Sequence, residues 1–234
     1  MVVSINQPAY LPWLGYFDRI ARSQIHIVLD HVQFEKNSFT NRNKIRIKEG
    51  ACWLTVPVKT KGRFGHLQIN TVEIADINNW PQKHWQSLLT NYGKAPYFGQ
   101  HRAFFEGVYA KRFERLIDLN RVITEYLLDA FSIGTRILYS SELPVEGTKS
   151  ALVLNLCQQI GATSYLSGPL GRGYLVTDSF TAADITLDFH DYAHPVYSQV
   201  FPGFEPYMTA VDLLFNHGPD AKKILSESSP TTTS

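Results

Sequence analysis

The chain opens with a short strand that runs straight into a proline-stiffened aromatic loop, and this limits its possible folds more than any other stretch. The apolar run Val2–Ile5 ends at Asn6-Gln7-Pro8, and a second proline, Pro12, precedes the aromatic-rich segment Trp13–Phe17. A helix interior does not tolerate these prolines, and a plain core strand has no need of such an ending. The pattern predicts a strand, a rigid loop and then a helix.

The next residues complete a β-α-β unit. We expect a helix over Trp13–Arg22 and a second apolar strand over Ile25–Leu29, followed by Asp30. The connection between the two strands is about twenty residues long, which suits the right-handed crossover of parallel strands. Because both strands are apolar at successive positions, they fit a sheet covered on both faces. The predicted fold class is therefore α/β, with a mostly parallel sheet.

A β-rich insertion is expected after this opening, and a helical carboxyl-terminal half after the insertion. The insertion contains predicted strands over Ile45–Ile47, Ala51–Val58 and Thr71–Ile74, with a hairpin turn at Glu49-Gly50. Apolar spacing of three and four residues predicts the later helices, and Asn79 is the expected N-cap of the first. These helices cover Trp80–Tyr92, His101–Val108, Phe113–Phe131, Ser150–Gly161 and Met208–Phe215, and the strands between them cover Ile137–Tyr139, Ser164–Gly168 and Ile185–Phe189.

Length and composition indicate a soluble globular protein. The 234 residues predict a single domain over residues 1–225 and a disordered tail rich in Ser and Thr over residues 226–234. The start of the chain lacks the basic segment of a signal peptide, and no apolar run approaches membrane-span length, so we expect a cytoplasmic protein. A net charge of +1 without a basic block disfavours nucleic acid as a partner.

Neither a metal nor a cofactor is predicted. Cys52 and Cys157 have no CxxC neighbour, and Cys157 lies in an apolar helical run that suits a core thiol. His190 and His194 are four residues apart, but Pro195 argues against a helical metal pair. The sequence contains no nucleophile elbow of the Gly-x-Ser-x-Gly type and no Walker or GxGxxG loop.

Polar residues at the strand ends form the first candidate site. Asn6 and Gln7 follow the first strand, where side chains of α/β proteins face the ligand crevice. The alternative is that Asn6 caps the next turn and Gln7 ties down the loop. Asp30 follows the second strand, and it lies beside them if the strands are parallel. The alternative for Asp30 is a structural ion pair with Arg42, which is compatible with a role in the site.

The other candidates come from three segments. Arg42 and Lys44 suit a carboxylate or phosphate, although a strand with a basic solvated face explains them equally well. The glycine-rich segment that begins at Gly168 offers backbone amides to an anion or is a simple sharp turn. A histidine, either His84 or His190, is the candidate general base. The full predicted set is catalytic His84 and Asp30, with substrate-binding Asn6, Gln7, Tyr10, Trp13, Gln33, Asn41, Arg42, Lys44, Tyr165, Ser167 and Gly168.

The same segments resemble the WbqC-like protein family. The opening Gln7-Pro8-x-Tyr10-Leu11-Pro12-Trp13-Leu14-Gly15-Tyr16-Phe17 matches the signature of that family, and further landmarks follow in the family order. They are Asp30-His31-Val32-Gln33-Phe34, Asn41-Arg42-Asn43-Lys44-Ile45, Leu54-Thr55-Val56-Pro57-Val58, Tyr92-Gly93-Lys94-Ala95-Pro96-Tyr97-Phe98, Tyr165-Leu166-Ser167-Gly168 and Asp212-Leu213-Leu214-Phe215-Asn216-His217-Gly218. The family commonly has His before Gln-Pro, whereas this chain has Asn6. Asparagine cannot act as a base near neutral pH, so either Asn6 only hydrogen-bonds ligand or the base lies elsewhere.

The resemblance implies a bacterial cytoplasmic protein encoded with enzymes of O-antigen, lipopolysaccharide and other surface-glycan biosynthesis. The activity it favours is acyl or aminoacyl transfer to a nucleotide-linked amino sugar, from an activated donor that is free or carrier-protein-bound. One alternative is a non-catalytic protein that binds a sugar nucleotide or a carrier. Another is a nucleotidyltransferase-like enzyme, although Trp13-Leu14-Gly15-Tyr16 replaces the HxGH pair of that class. The sequence does not decide whether the protein is a homodimer, because Phe104, Phe105 and Tyr109 fit either a hydrophobic core or a dimer interface.

Overall fold

The computed structural model describes residues 1–62, 65, 67–227 and 232–233. The strands are β1 (Val2–Asn6), β2 (Ile25–Val28), β3 (Arg42–Ile47), β4 (Gly50–Thr55), β5 (Arg136–Tyr139), β6 (Ser164–Ser167), β7 (Thr186–Phe189) and β8 (Thr232–Thr233). One sheet has the order β5-β2-β1-β6-β7-β8, in which all neighbours are parallel except β7 and β8. Strands β3 and β4 form a separate antiparallel hairpin. The predicted α/β class is confirmed.

Helices follow the strands and dominate the carboxyl-terminal half. They are α1 (Leu14–Ala21), α2 (Trp80–Tyr92), α3 (Phe98–Ala110), α4 (Leu116–Ala130), α5 (Lys149–Gln159), α6 (Thr177–Thr181), α7 (Ala210–His217) and α8 (Ala221–Ser226). The predicted bounds of α2 are correct. The short helices α6 and α8 were not predicted, because five or six residues are too few to show a periodic pattern. A search of the described residues finds no helix with the length and apolar character needed to cross a membrane.

The order of the parallel sheet reverses at β1. Strands β1 and β2 pair in parallel from Val3 beside Ile25 to Asn6 beside Val28, which confirms the predicted β-α-β unit. The chain continues outward to β5 and later returns to place β6 on the other side of β1. Strands β1 and β6 pair at Val2 with Ser164 and Val3 with Tyr165, and the pairing stops there. The order of the strands reverses here, and α/β proteins form their ligand crevice at the carboxyl ends of the two strands where the order reverses.

The predicted insertion differs from the structure in its details. Thr71–Ile74 is not a strand: a 3-10 turn over Ile69–Thr71 precedes an isolated bridge between Val58 and Ile74. The preceding strand ends at Thr55 rather than Val58, because Pro57 lacks the N–H that a ladder requires. The hairpin turn lies one residue earlier than predicted, since Gly50 already pairs with Ile47.

Two predictions about segment ends also need revision. Asn79 directly precedes α2 as expected, but its φ is +48° and its side chain makes no capping bond within the described residues. Asn78 is also left-handed, with φ of +59°, so a turn that asparagine tolerates replaces a side-chain cap. In the tail, Ser226 ends α8 and Thr232–Thr233 form β8. The remaining residues of the tail after 227 lie outside the described residues, so its disorder stays a prediction.

The core consists of two main apolar clusters. The larger one joins α1 to the hairpin and to α2, α3, α4 and α7, and it includes Phe105 and Tyr109. These two aromatics are buried, which agrees with their core interpretation. The smaller cluster lies between the sheet and α5 and includes Cys157. Burial raises the pKa of the Cys157 thiol to about 12, so this group is the core thiol that its sequence context predicts.

Candidate functional site

Asn6 and Gln7 lie at the crevice beside the carboxyl end of β1. Both residues are half-buried. Asn6 does not cap the following helix, because the N-cap position of α1 is Trp13. Among the hydrogen bonds of the described residues, none involves the side-chain amide of Asn6 or Gln7. The donors and acceptors of both amides are therefore available to a ligand.

The carboxyl end of β6 forms the opposite wall. Ser167 is buried, and its hydroxyl donates to the carbonyl of Gly168 at 3.0 Å. A 3-10 turn over Pro169–Gly173 follows. Gly171 is required in this turn, because a Cβ there would lie 2.1 Å from the Ser167 Oγ. Tyr165 is placed deeper, where it stacks on Phe180 with 5.8 Å between ring centroids. Ser167 and Gly168 thus border the crevice, and Tyr165 supports it from the core.

A buried histidine–aspartate pair lies beside this wall. His190 follows β7, and its backbone N–H donates to the Ser167 carbonyl at 2.8 Å. Its Nε2 is 2.6 Å from Oδ2 of Asp18 on α1, and the two side chains are 2% and 1% exposed. Asp18 also accepts from Nε of Arg22 at 2.7 Å. Because a carboxylate only accepts, Nε2 carries the proton, and Nδ1 is left as an acceptor without a partner among the described residues.

Arg19 is the neighbour of Asp18 on α1 and is also buried. Its exposed fraction is 8%, and its Nε has no hydrogen-bond partner in the structure. A Cβ at position 168 would lie 2.2 Å from its Nη1, so the guanidinium lies against the bare backbone of Gly168. Burial lowers the pKa of Arg19, while the nearby hydroxyls of Tyr165, Tyr16 and Tyr174 act in the opposite direction. Neither Asp18 nor Arg19 was predicted from the sequence.

Trp13 lies between the crevice and the loop that connects β7 to α7. Its ring contacts Tyr192 edge-on at 5.5 Å, and Tyr192 in turn lies 5.7 Å from the ring of His190. The indole covers the first turn of α1, where a Cβ on Gly15 would lie 2.3 Å from it. The loop over residues 190–208 has no helix or strand, and irregular loops of this length are commonly functional.

Asp30 lies at the end of β2, where its hydrogen-bond partners are Ser140 and Ser141 rather than Arg42. Its carboxylate accepts from the Ser140 hydroxyl at 3.0 Å and from the Ser141 N–H and hydroxyl at 2.9 and 2.7 Å. These bonds tie β2 to the end of β5. The ion pair between Asp30 and Arg42, considered as the alternative, does not form within the described residues. Arg42 lies on the separate hairpin, donates to the Asn37 carbonyl at 2.6 Å and stacks over Trp53 at 4.4 Å.

The other predicted residues of the insertion are held by local contacts. Lys44 lies 5.9 Å from the Trp53 ring, on the same aromatic surface as Arg42. Asn41 donates to the Val56 carbonyl at 2.9 Å. Gln33 donates to the Phe34 carbonyl at 3.0 Å and accepts from the Leu67 N–H at 3.1 Å. Within the described residues, no side-chain hydrogen bond joins this group to the crevice.

His84 belongs to a buried chain of hydrogen bonds in the larger core. Burial lowers its pKa to about 4, while a bond to the Thr55 main chain acts in the opposite direction. Nδ1 of the ring is 2.8 Å from the Tyr10 hydroxyl, which lies 2.5 Å from the Tyr109 hydroxyl. Nδ1 therefore has a partner inside the core, and Tyr10, at 0% exposure, faces no solvent.

Because burial lowers the pKa of His84, we expect the free energy of unfolding to fall at acidic pH. The unfolded chain takes up this proton near pH 6.5, whereas the folded protein does so near pH 4. Stability contributed by neutral His84 is thus fully present above pH 6.5 and is lost as the pH falls toward 4. Going from pH 7 to pH 5 should cost about 2 kcal/mol through this residue. Urea unfolding of the wild type and of His84→Gln at both pH values measures it.

The His84→Gln variant should lose less stability than the wild type over that pH interval, by roughly the same 2 kcal/mol. His26, whose pKa burial lowers to about 3, contributes equally to both proteins and cancels in the comparison. Equal losses in the two proteins would show that His84 does not titrate as described.

A wide cavity lies elsewhere, at the amino-terminal end of α2. It measures about 770 Å³ and is lined by Trp80 and Tyr109 among others. Charges at its edge neutralise one another, with Lys59 2.8 Å from Glu73 and Arg112 3.7 Å from Asp76. A second cavity of about 230 Å³ adjoins Gln33. We place the candidate site at the crevice, because the amides of Asn6 and Gln7 and the buried pair of His190 and Asp18 lie around it.

Comparison with known proteins identifies the class to which this fold and crevice belong. The chain belongs to the WbqC-like protein family, whose sequence model matches residues 7–224. It is also 37% identical over 225 residues to the uncharacterized protein Rv1507c of Mycobacterium tuberculosis (strain ATCC 25618 / H37Rv), covering 95% of this chain and 96% of that protein. No solved structure matches the chain significantly.

Proposed function

We propose that the protein is a transferase that moves an acyl or aminoacyl group onto the amine of a nucleotide-linked amino sugar in the crevice between β1 and β6. The single observation that carries this proposal is the buried His190–Asp18 pair, whose Nδ1 has no partner within the described residues. Such a pair is suited to accept a proton from an attacking nucleophile, because the carboxylate orients the ring and stabilises its charged form. The sugar, the pathway of surface-glycan biosynthesis and the cytoplasmic location come from the family resemblance.

In the proposed reaction the sugar amine attacks the carbonyl carbon of an activated acyl donor. As the new C–N bond forms, Nδ1 of His190 takes one proton from the nitrogen. The bond to the leaving group then breaks, and that group departs with its electron pair and takes up the proton. Asn6 and Gln7 hold the sugar, Trp13 stacks on it, and backbone amides of the turn after Gly168 stabilise the oxyanion.

The proposal changes the roles of the two residues predicted to be catalytic. His84 is buried with its Nδ1 bound to Tyr10, and the Asp30 carboxylate is occupied by Ser140 and Ser141. We therefore assign the base to His190 and give His84 and Asp30 positioning roles. Arg42 and Lys44, with Trp53, form a separate exposed surface that can contact the nucleotide or a carrier protein.

One observation favours a second candidate function, a sugar-nucleotide or carrier-binding protein without turnover. His190 is 2% exposed, so a ligand reaches its ring only after Trp13 or the loop over residues 190–208 moves. A binding protein would take up ligand stoichiometrically and release no product.

A ligand screen with a turnover measurement tests these alternatives. The purified protein is melted with UDP-, GDP- and dTDP-amino sugars, coenzyme A thioesters, and ATP with magnesium. We expect one nucleotide sugar to raise the Tm by mass action, and an acyl donor added with it to give an N-acylated product. Binding without product would favour the binding protein. A response only to ATP with magnesium, with pyrophosphate release, would favour the nucleotidyltransferase and contradict the proposal.

A further inference from the structure

Arg19 is a buried cation without a counter-ion in the part of the chain that the structure describes. Its side chain is more than nine-tenths buried, and Nε has no hydrogen-bond partner. Within the described residues no carboxylate forms an ion pair with it. The adjacent carboxylate of Asp18 is engaged by His190 and Arg22 instead. Burying a charge without a partner is costly, so such a group calls for a functional explanation.

The position of Arg19 supplies that explanation. Its Nη1 lies against Gly168, at the carboxyl end of β6, where any larger residue would displace it. The neighbouring ionisable groups are the hydroxyls of Tyr165, Tyr16 and Tyr174, which carry no charge at neutral pH. A guanidinium placed in this way presents a planar set of donors that matches two oxygens of a carboxylate or phosphate.

We propose that Arg19 anchors an oxyanion of the ligand, a carboxylate or a phosphate, at Gly168 in the crevice between β1 and β6. The anion supplies the missing negative charge and accepts hydrogen bonds from the guanidinium group of Arg19. Anion binding at Arg19 requires no turnover. It rests on the proposed function only for the part that the bound anion plays in acyl transfer. The nucleotide-sugar phosphates and a carboxylate on the sugar or donor are the two sources of this chemistry.

Three variants of the full chain test the anchor. Arg19→Met keeps the length of the side chain but removes the charge and the donors. Gly168→Ala keeps Arg19 and introduces a Cβ 2.2 Å from the present position of Nη1. The backbone of Gly168 has φ of −73°, which alanine adopts without backbone strain. The only conflict is between the new Cβ and the Arg19 side chain. Arg102→Met is the matched control, since Arg102 is an exposed arginine on α3.

The probes are inorganic phosphate, pyrophosphate and malonate, with sodium chloride at equal ionic strength as reference. Binding is measured by calorimetry and by the shift in Tm. We expect at least one oxyanion to bind the wild type and Arg102→Met equally. Its affinity should fall at least tenfold in Arg19→Met and also fall in Gly168→Ala. A response to phosphate or pyrophosphate alone identifies a phosphate anchor, and a response to malonate alone identifies a carboxylate anchor.

Stability without probe separates an anchor from a structural arginine. Removing an uncompensated buried charge should leave the Tm of Arg19→Met unchanged or raise it by about 2–4 °C. A fall of several degrees would show that Arg19 holds the fold together and would overturn the proposal. No oxyanion binding by the wild type, or full binding by Arg19→Met, would also overturn it. Anion binding through Arg19 in a protein without transferase activity would refute the proposed function and leave the anchor intact.

Discussion

Replacing His190 with glutamine is expected to lower kcat for acyl transfer by about 10²- to 10⁴-fold, the usual contribution of a general base. Glutamine has nearly the size of histidine and can still donate to Asp18, but it cannot take a proton from the sugar amine. Substrate affinity should change much less than kcat, because Asn6, Gln7 and Arg19 remain. Steady-state kinetics on the substrate found by the ligand screen measure both quantities.

Two further variants make this prediction specific. Asp18→Asn should also lower kcat strongly. A carboxylate only accepts and so fixes the proton of His190 on Nε2, whereas an amide can donate as well and no longer fixes it there. His217→Gln is the control, since His217 contacts the carbonyl of Ser198 outside the crevice. A normal kcat in His190→Gln together with a collapse in His84→Gln would return the role of base to His84 and refute our assignment.

Replacing Asp212 with alanine is expected to cost about 2–5 kcal/mol of folding free energy, because each buried hydroxyl left without a partner costs about 1–3 kcal/mol. Asp212 is 0% exposed and accepts from the hydroxyls of Tyr92 and Tyr197 and from the Gln199 amide, at 2.9, 2.8 and 2.9 Å. Alanine leaves the buried hydroxyls of Tyr92 and Tyr197 without this acceptor, while the half-buried Gln199 amide still donates to the Glu205 carbonyl. Since Tyr197 and Gln199 belong to the loop over residues 190–208, that loop should also loosen from the core.

Urea unfolding of Asp212→Ala measures the loss, and Asp129→Ala provides the control, because Asp129 is an exposed carboxylate on α4. The control should stay within about 0.5 kcal/mol of the wild type. A loss of less than 1 kcal/mol for Asp212→Ala would mean that water replaces the carboxylate and that the cluster is not essential to the fold.

The fold was predictable where local pattern and tertiary contacts agree. The apolar runs of β1 and β2 and the spacing of α2 identify these elements from sequence alone. Thr71–Ile74 was predicted wrongly as a strand, because an apolar residue at every second position also suits a loop packed on the core. The order of the sheet was not predictable in full, since the return of β6 to the free side of β1 depends on contacts distant in sequence.

The site was predictable in part for a similar reason. Asn6, Gln7, Ser167 and Gly168 follow recognisable strands, and strand ends meet at one edge of a parallel sheet. Asp18 and Arg19 were missed because they lie inside a helix. A signal was present, since Asp18-Arg19 interrupts a helix that is otherwise almost entirely apolar and buried. Charged residues in such a helix require partners or a function.

The location of the bound ligand tests the central claim most directly. Hydrogen–deuterium exchange of the full chain is measured with and without the nucleotide sugar that gives the largest Tm shift. Our account predicts slower exchange in residues 5–8, 13–19, 165–173 and 189–192, around the crevice. Protection confined to residues 71–82 and 109–115, around the cavity at the start of α2, would place the ligand elsewhere and contradict it.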